Sequence, residues 1–412
     1  MSVPSASSSQ PAHWRTPGLI IFAGCVIALL AFGPRSSMGF FLQPLSQSNG
    51  WGRDVFALAF AIQNLLWGVG QPFAGAVADR FGAPLVICMG TILYALGLVL
   101  MGYSHSPLTL DLTVGVLIGF GLSGCSFNLV VGALGKLVPD HLRSFAFGAG
   151  TAAGSFGQFL FAPFGVALIG AYGWQNALMI FAAILLLILP ISLMLATPKG
   201  GSAATVAPPQ SLKNALSEAF AHRSYVLLVL GFFTCGFQLA FVTAHLPSYL
   251  VDRGLDVTIG GWVIAVIGLF NIVGSLGSGW LAGRMPKRYI LSAIYFTRAA
   301  STVLFISLPI TPFSALAFGV VTGLTWLSTV PPTSGLVALM FGTRWLATLF
   351  GFAFFSHQVG GFLGVWLGGI AFERTGSYDI VWWLSVLFGV LSALINLPIV
   401  EKPVVRPATA AA

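Results

Sequence analysis

The sequence predicts an all-α membrane protein of twelve transmembrane helices in two six-helix, pseudo-symmetric bundles, and three observations carry that prediction. The 412 residues are 57% hydrophobic and only 7% charged, and a mean hydropathy of +0.93 exceeds what a soluble domain needs to build a core. Apolar segments long enough to cross a ~30 Å hydrocarbon layer at ~1.5 Å per residue recur along the whole chain. The second half of the chain then repeats the first.

Taken in order, the predicted spans are about 18–45, 54–78, 84–103, 109–135, 145–170, 175–196, 224–250, 257–282, 289–309, 312–340, 345–370 and 377–399. Breakers or charges mark the turns between them, as at Asp79-Arg80-Phe81-Gly82, Pro139-Asp140-His141, Asp252-Arg253-Gly254 and Pro286-Lys287-Arg288,. The longest connection, 197–222, is rich in Pro, Ala and Ser and splits the spans into six and six,. The expected organisation is a tail (1–17), an N-terminal bundle (18–196), a cytoplasmic linker (197–222), a C-terminal bundle (223–399) and a second tail (400–412). Met1 to Gly18 runs into the first apolar segment without a small-residue cleavage site, which predicts an uncleaved first span,.

Cations set the orientation. Of the 18 Lys and Arg residues, thirteen fall in the tails and in loops on the same side as the termini, while Arg53, Arg253 and Arg374 fall on the other side. That bias predicts cytoplasmic termini. The absence of an Asn-x-Ser/Thr sequon suits a bacterial inner membrane,. The repeat is visible when the second span slides 204 positions onto the eighth, matching Ala61 with Ala265, Leu65 with Leu269, Val69-Gly70 with Val273-Gly274, Gly75 with Gly279 and Arg80 with Arg284.

Several function classes drop out. The formal charge of +8 is spread singly between apolar segments rather than gathered in a basic run, so no nucleic-acid partner is expected,. Cys25, Cys88, Cys125 and Cys235 sit inside apolar segments without metal or redox spacing and read as packing residues,. Gly119-Phe120-Gly121-Leu122-Ser123-Gly124 matches a dinucleotide loop formally but lies inside a span with no strand before it,. No nucleophile, phosphate-loop or metalloprotease motif appears, so neither an enzyme nor a cofactor or metal site is expected.

The charges inside the spans point to the cargo. All ten acids fall in loops or, for Asp111, at a span's mouth, whereas Arg35 and Arg298 lie within spans. Two buried cations without carboxylates favour an anionic guest that brings the missing countercharge. The guanidinium fork suits a carboxylate in particular. Arg35 lies ~24 Å along the first span, where a snorkelling structural role is the competing reading. Arg298 falls near the middle of the ninth.

With no buried acid, His357 on the eleventh span and His245 on the seventh are the side chains able to carry proton coupling near neutral pH, unless they serve as neutral interhelical hydrogen bonders. Polar residues recur at helical spacing and give candidate cavity faces: Asn64 with Gln71, Gln238 with His245, and Asn271 with Ser275 and Ser278,. Asn128 and Gln158 are weaker candidates of the same kind. Packing contacts between helices are the competing reading of each stripe. Gly360, Gly364 and Gly368, and Gly150 and Gly154, provide close helix approach,.

Gly75-Ala76-Val77-Ala78-Asp79-Arg80-Phe81-Gly82, with a decayed copy at Gly279-Trp280-Leu281-Ala282-Gly283-Arg284, resembles the signature loop of the major facilitator superfamily. The stretch from Gly33-Pro34-Arg35-Ser36-Ser37-Met38-Gly39-Phe40-Phe41 to Leu45, followed by Asn49-Gly50-Trp51, resembles bacterial members of its monocarboxylate and oxalate:formate porter branch. That branch often carries an acid and an arginine a turn apart in the eighth span, where this chain has Asn271 and Ser275. The resemblance implies alternating access, with the basic residue at the Arg35 position in binding and coupling. It also implies an inner gate in which Asp79, beside Arg80, pairs with Arg143.

The expected function is a secondary transporter, a functional monomer in the lipid bilayer, that moves a small organic anion by proton symport or anion exchange. Arg35, His357, Asn271, Gln238, Asn64 and Arg298 are the candidate substrate contacts. An efflux carrier for amphipathic compounds is the alternative, and a ligand sensor without flux is a third.

Overall fold

The computed structural model describes residues 16–196, 211–342 and 345–404, without the side chains of Asp79, Asp140, Ser144 and Ala347. No strand occurs among the described residues. The twelve long helical elements are α1 (Pro17–Asn49), α2 (Arg53–Phe81), α3 (Ala83–Met101), α4 (Pro107–Leu137), α5 (Asp140–Tyr172), α6 (Trp174–Leu195), α7 (Arg223–Asp252), α8 (Val257–Ala282), α9 (Lys287–Ser307), α10 (Pro312–Phe341), α11 (Leu346–Thr375) and α12 (Asp379–Asn396). Eleven of them are long and apolar enough to cross a membrane. The remaining one, α2, has 29 residues, but Gln63, Asn64 and Gln71 dilute its apolar middle.

Local chemistry explains the boundaries. Thr16 caps α1 by accepting the Leu19 N–H, with Pro17 at the first helical position,. Gly82, at φ 98°, supplies the backbone turn between α2 and α3 that a side chain would strain,. Asp256 caps α8 through the Thr258 N–H at 2.8 Å. The predicted spans match these helices to within a few residues, and α5 and α11 run about one turn longer than expected at one end,. The connection read as a linker contains a short helix, Leu212–Ala221, whose Phe220 packs edge-on against Tyr225 at 5.5 Å.

Four elements are not continuous α-helix, and the simplest is α6, which is interrupted at Leu187 and ends in a 3-10 turn at Leu193–Leu195. α1 passes through a 3-10 turn at Met38–Phe41, just after Pro34, which has no N–H to give the helix,. α4 contains a π-helical stretch at Asp111–Leu117, where Gln63 Nε2 donates to the Val114 carbonyl at 3.2 Å,. Both α4 and α10 are broken in mid-span, α4 at Ser126 and α10 between Thr325 and Val330.

Two apolar cores follow the sequence repeat. One is built almost wholly from α1 to α6, around Tyr94, Phe60 and Phe181. The other is built almost wholly from α7 to α12, around Trp382, Tyr295 and Phe237. The bundles meet where α2 faces α11, α5 faces α8 and α1 faces α7. At the end of the molecule away from the termini this contact is tight: a Cβ on Gly39 of α1 would collide with the Thr243 carbonyl of α7. Toward the terminal end, a Cβ at Gly75, Gly148, Gly277 or Gly351 would meet no atom within 4 Å.

The glycine stripe of α11 packs within its own bundle. Gly360 and Gly364 lie against Phe233 and Phe237 of α7, and Gly368 against the His245 ring. The C-terminal tail straps the same bundle, with Val404 N donating to the Met340 carbonyl at 2.9 Å and Val400 N to Ser224 Oγ at 3.0 Å.

Candidate functional site

Arg35 is the centre of the site. It lies where the first helical piece of α1 ends, beside Pro34, and is only 8% exposed. One terminal nitrogen donates a short hydrogen bond to Asn64 Oδ1. Asn64 is fixed in that orientation because its own Nδ2 donates to the Phe60 carbonyl one turn earlier, at 2.9 Å. The guanidinium lies over the Trp67 ring at 4.7 Å and the Phe60 ring at 5.7 Å,. Its Nε is buried with no hydrogen-bond partner, and among the described residues no carboxylate pairs with it. The cation is thus desolvated and held by a neutral amide and two ring faces.

Trp67 links this half-site to the other bundle. Its ring meets Phe354 of α11 edge-on at 5.5 Å, and Phe354 in turn stacks on His357 at 5.8 Å. Arg35 and His357 are thus joined through two rings rather than by contact. His357 Nδ1 lies 3.1 Å from Gln358 Oε1, and its ring packs at 5.2 Å on Phe232 of α7. Asn64 faces α11 at Gly361, where an added Cβ would come within 3.6 Å of it.

Three other predicted contacts gather at the break in α10, not at Arg35. Arg298 donates to the carbonyls of Thr325 and Trp326, the latter at 2.6 Å, and to Gln238 Oε1 at 3.4 Å. Gln238 Nε2 is committed to the Ser385 carbonyl of α12 at 2.9 Å. Asn271 accepts the Leu327 N–H at 2.9 Å and donates to Ser155 Oγ of α5 at 2.8 Å, thereby tying α8, the α10 break and the opposite bundle together. A cation at the C-terminal end of a half-helix, where carbonyls lose their partners, is favourable in itself. Cys235, read from the sequence as packing, also reaches this break, with Sγ 3.3 Å from Thr329 Oγ1.

His245 lies deeper in the closed end. It is fully buried, with Nε2 2.8 Å from the Val365 carbonyl and its ring 5.0 Å from Tyr378. Tyr378 belongs to a lock that sequence reasoning missed. Arg53 at the start of α2 grips Asp252 at the end of α7 with two parallel bonds of 2.6 and 2.7 Å. It also donates to Tyr378 Oη at 3.0 Å, and its guanidinium covers Phe372 at 3.8 Å. Glu373 Oε1 takes the Arg53 backbone N–H at 2.6 Å. Both charges had been read as loop residues; the available signal was that opposite charges begin and end helices of different bundles on one side.

The expected inner gate is placed only in part. Arg80 is exposed in the last turn of α2 beside the Phe81 ring, at 5.2 Å, and Arg143 is exposed in the first turn of α5. The Asp79 side chain lies outside the described residues.

Known proteins resemble this chain along most of its length. The Major Facilitator Superfamily model matches residues 24–365. An uncharacterized MFS-type transporter, YcxA of Bacillus subtilis, is 28% identical over 379 residues, covering 89% of this chain and 91% of the relative. Monocarboxylate transporter 11 of Homo sapiens is 27% identical over 400 residues, covering 92% and 83%. Among solved structures, a D-xylose-proton symporter superposes with a TM-score of 0.76 at 16% identity, covering 93% of this chain and 98% of that one. A bacterial homolog of the human lysosomal transporter Spinster, in its inward-facing and unoccupied conformation, superposes with a TM-score of 0.72 at 16% identity, covering 94% and 97%. With twelve helices in two repeated bundles and a family match over most of its residues, the chain belongs to the Major Facilitator Superfamily.

Proposed function

We propose that this transporter moves a small, monocarboxylate-like organic anion by alternating access, with the carboxylate docking on Arg35. The observation that supports the reading is the buried Arg35 guanidinium, whose Nε has no partner and whose only hydrogen-bonded neighbour is the neutral Asn64 among the described residues. A guest carboxylate would supply the charge the protein withholds. Relatives named as monocarboxylate transporters fit the same chemistry.

In this reading the bundles 18–196 and 223–399 are the moving units, both termini are cytoplasmic and the membrane is the bacterial inner membrane. The Arg53–Asp252 lock then closes the outer end while the inner side is open. In the opposite state, Asp79 with Arg80 and Arg143 closes the inner end. His357, joined to Arg35 through Trp67 and Phe354, carries the proton if transport is symport, with His245 as the second candidate. The protein acts as a monomer, since the site lies within one chain. Asn271, Gln238 and Arg298 support the site by holding the α10 break.

Uptake of labelled formate, lactate, pyruvate, oxalate and a larger aromatic acid into proteoliposomes, with and without an inward proton gradient, tests the reading. Saturable uptake of at least one acid is expected, and acceleration by the gradient would select symport over exchange. No uptake of any acid, together with resistance to amphipathic toxicants in cells, would overturn it.

A further inference from the structure

The two broken helices occupy matching places in the repeat, and the protein treats them differently. The second half of α4, Phe127–Leu137, starts after Ser126, and the second half of α10, Val330–Phe341, starts after Thr329, 203 positions later. Interrupted helices at corresponding positions of two repeats are where transporters of several folds hold their cargo.

At the α10 break two carbonyls and two N–H groups are answered from within. Arg298 takes the carbonyls of Thr325 and Trp326, and Asn271 takes the Leu327 N–H. The Val330 N–H bonds the Leu327 carbonyl at 3.0 Å, and the next two positions, Pro331 and Pro332, have no N–H to satisfy,.

At the α4 break the donors remain. Ser126 is extended, at φ −65° and ψ 157°, yet its side chain makes no capping bond, because Ser126 Oγ donates to Gln71 Oε1 at 2.8 Å. Leu129 and Val130 bond back to the Ser126 carbonyl. Phe127 and Asn128, half-buried in mid-span, hold the first two N–H groups of the half-helix, which have no acceptor within it,.

A second observation, independent of the helix end, links a cation to it through two side chains. Gln71 Oε1, which holds Ser126, also accepts the Trp67 indole N–H at 3.1 Å, and Ser123 Oγ of α4 donates to the Trp67 carbonyl at 3.3 Å. Trp67 is the ring that carries Arg35, whose unpartnered Nε is buried in a residue only 8% exposed. The half-helix start and the Arg35 guanidinium are therefore linked through one Trp67–Gln71 pair.

We infer that the Phe127 and Asn128 N–H groups, at the positive end of the second half of α4, are a second anchor for the anion docked on Arg35. This rests on the anion reading proposed above. A half-helix N-terminus carries about half a positive charge and acts strongly where water is scarce. The substrate would close the α4 break as Arg298, Asn271 and the two prolines close the α10 break. The asymmetry would orient the anion toward the N-terminal bundle.

Two matched pairs of full-length variants test it, read as KM for whichever of labelled formate, lactate, pyruvate or oxalate the wild type takes up fastest. Phe127→Pro removes one donor at a position where proline suits both the helix start and the extended Ser126, while Phe127→Ala loses the same ring but keeps the donor. Ser126→Asp places a carboxylate on the free donors, and Ser126→Ala does not. KM about tenfold higher for Phe127→Pro than for Phe127→Ala, and for Ser126→Asp than for Ser126→Ala, is expected. Ratios below threefold in every pair that folds would overturn the inference, and if the proline variant fails to fold the Ser126 pair decides. If Arg35→Gln abolishes uptake while the pairs agree, only this inference falls; if the wild type takes up no acid, the underlying reading falls with it.

Discussion

Arg53 and Asp252 join the two bundles through a pair of parallel hydrogen bonds at one end of the molecule, 2.6 and 2.7 Å long, and the guanidinium is backed by Phe372. Their geometry is the fork-to-carboxylate fit that gives the strongest polar contacts between side chains. Asp252→Asn should shift the conformational balance toward the state open at that end by about tenfold, the scale of one charge-assisted contact. Distance measurements between spin labels on α2 and α7 would read the shift. The swapped pair Arg53→Asp with Asp252→Arg should restore most of it, which loss of packing alone would not allow.

Tyr378, which accepts from Arg53 in the lock, gives the fold an alkaline limit. In the turn before α12, burial pushes its phenol up to about 12, opposed by the neighbouring Arg53. A folded pKa above the unfolded value of about 10 means that the contribution is complete below pH about 10 and is lost as pH rises through about 12. Thermal stability should therefore be flat from pH 6 to 9 and fall above about 10. Tyr378→Phe should remove that alkaline step in a thermal-stability profile.

Asn64 orients Arg35 and leaves its charge uncancelled. Asn64→Asp would supply an internal countercharge of nearly the same shape. Anion uptake should fall by at least about tenfold while the protein remains folded, because guest and side chain then compete for one guanidinium. Asn64→Ala should raise KM by about tenfold through loss of the orienting bond. Equal kinetics for wild type and Asn64→Asp would separate Arg35 from the cargo.

Arg298 is predicted to matter for stability before affinity. Arg298→Met leaves the Thr325 and Trp326 carbonyls without donors in mid-span, a loss of about 2–4 kcal/mol. A thermal-shift assay should show a clear drop in Tm. KM of the surviving fraction should move by less than about threefold.

The fold was legible because the bilayer demands long apolar helices, and the prolines and glycines between them are unambiguous stops. α2 shows how the same rule strains at a polar helix, since Gln63, Asn64 and Gln71 lower its hydropathy where they bond Val114, Arg35 and Ser126. Arg35 and Asn64 could be found from charge and spacing alone. The grouping of Arg298, Gln238 and Asn271 could not, because it depends on the α10 break, for which Pro331-Pro332 was the only sequence sign. Arg53 and Asp252 are 199 positions apart in sequence, and no local pattern pairs them. Ser126 likewise gave no capping signature, since its hydroxyl is turned to Gln71 rather than to its own helix.

The most direct measurement is equilibrium binding of the transported acid to purified wild type and Arg35→Gln, followed by fluorescence of Trp67, the ring against which the guanidinium rests. Loss of the carboxylate's charged partner predicts an affinity at least about 100-fold weaker in the variant. Affinities within twofold of each other would contradict an anion docked on Arg35.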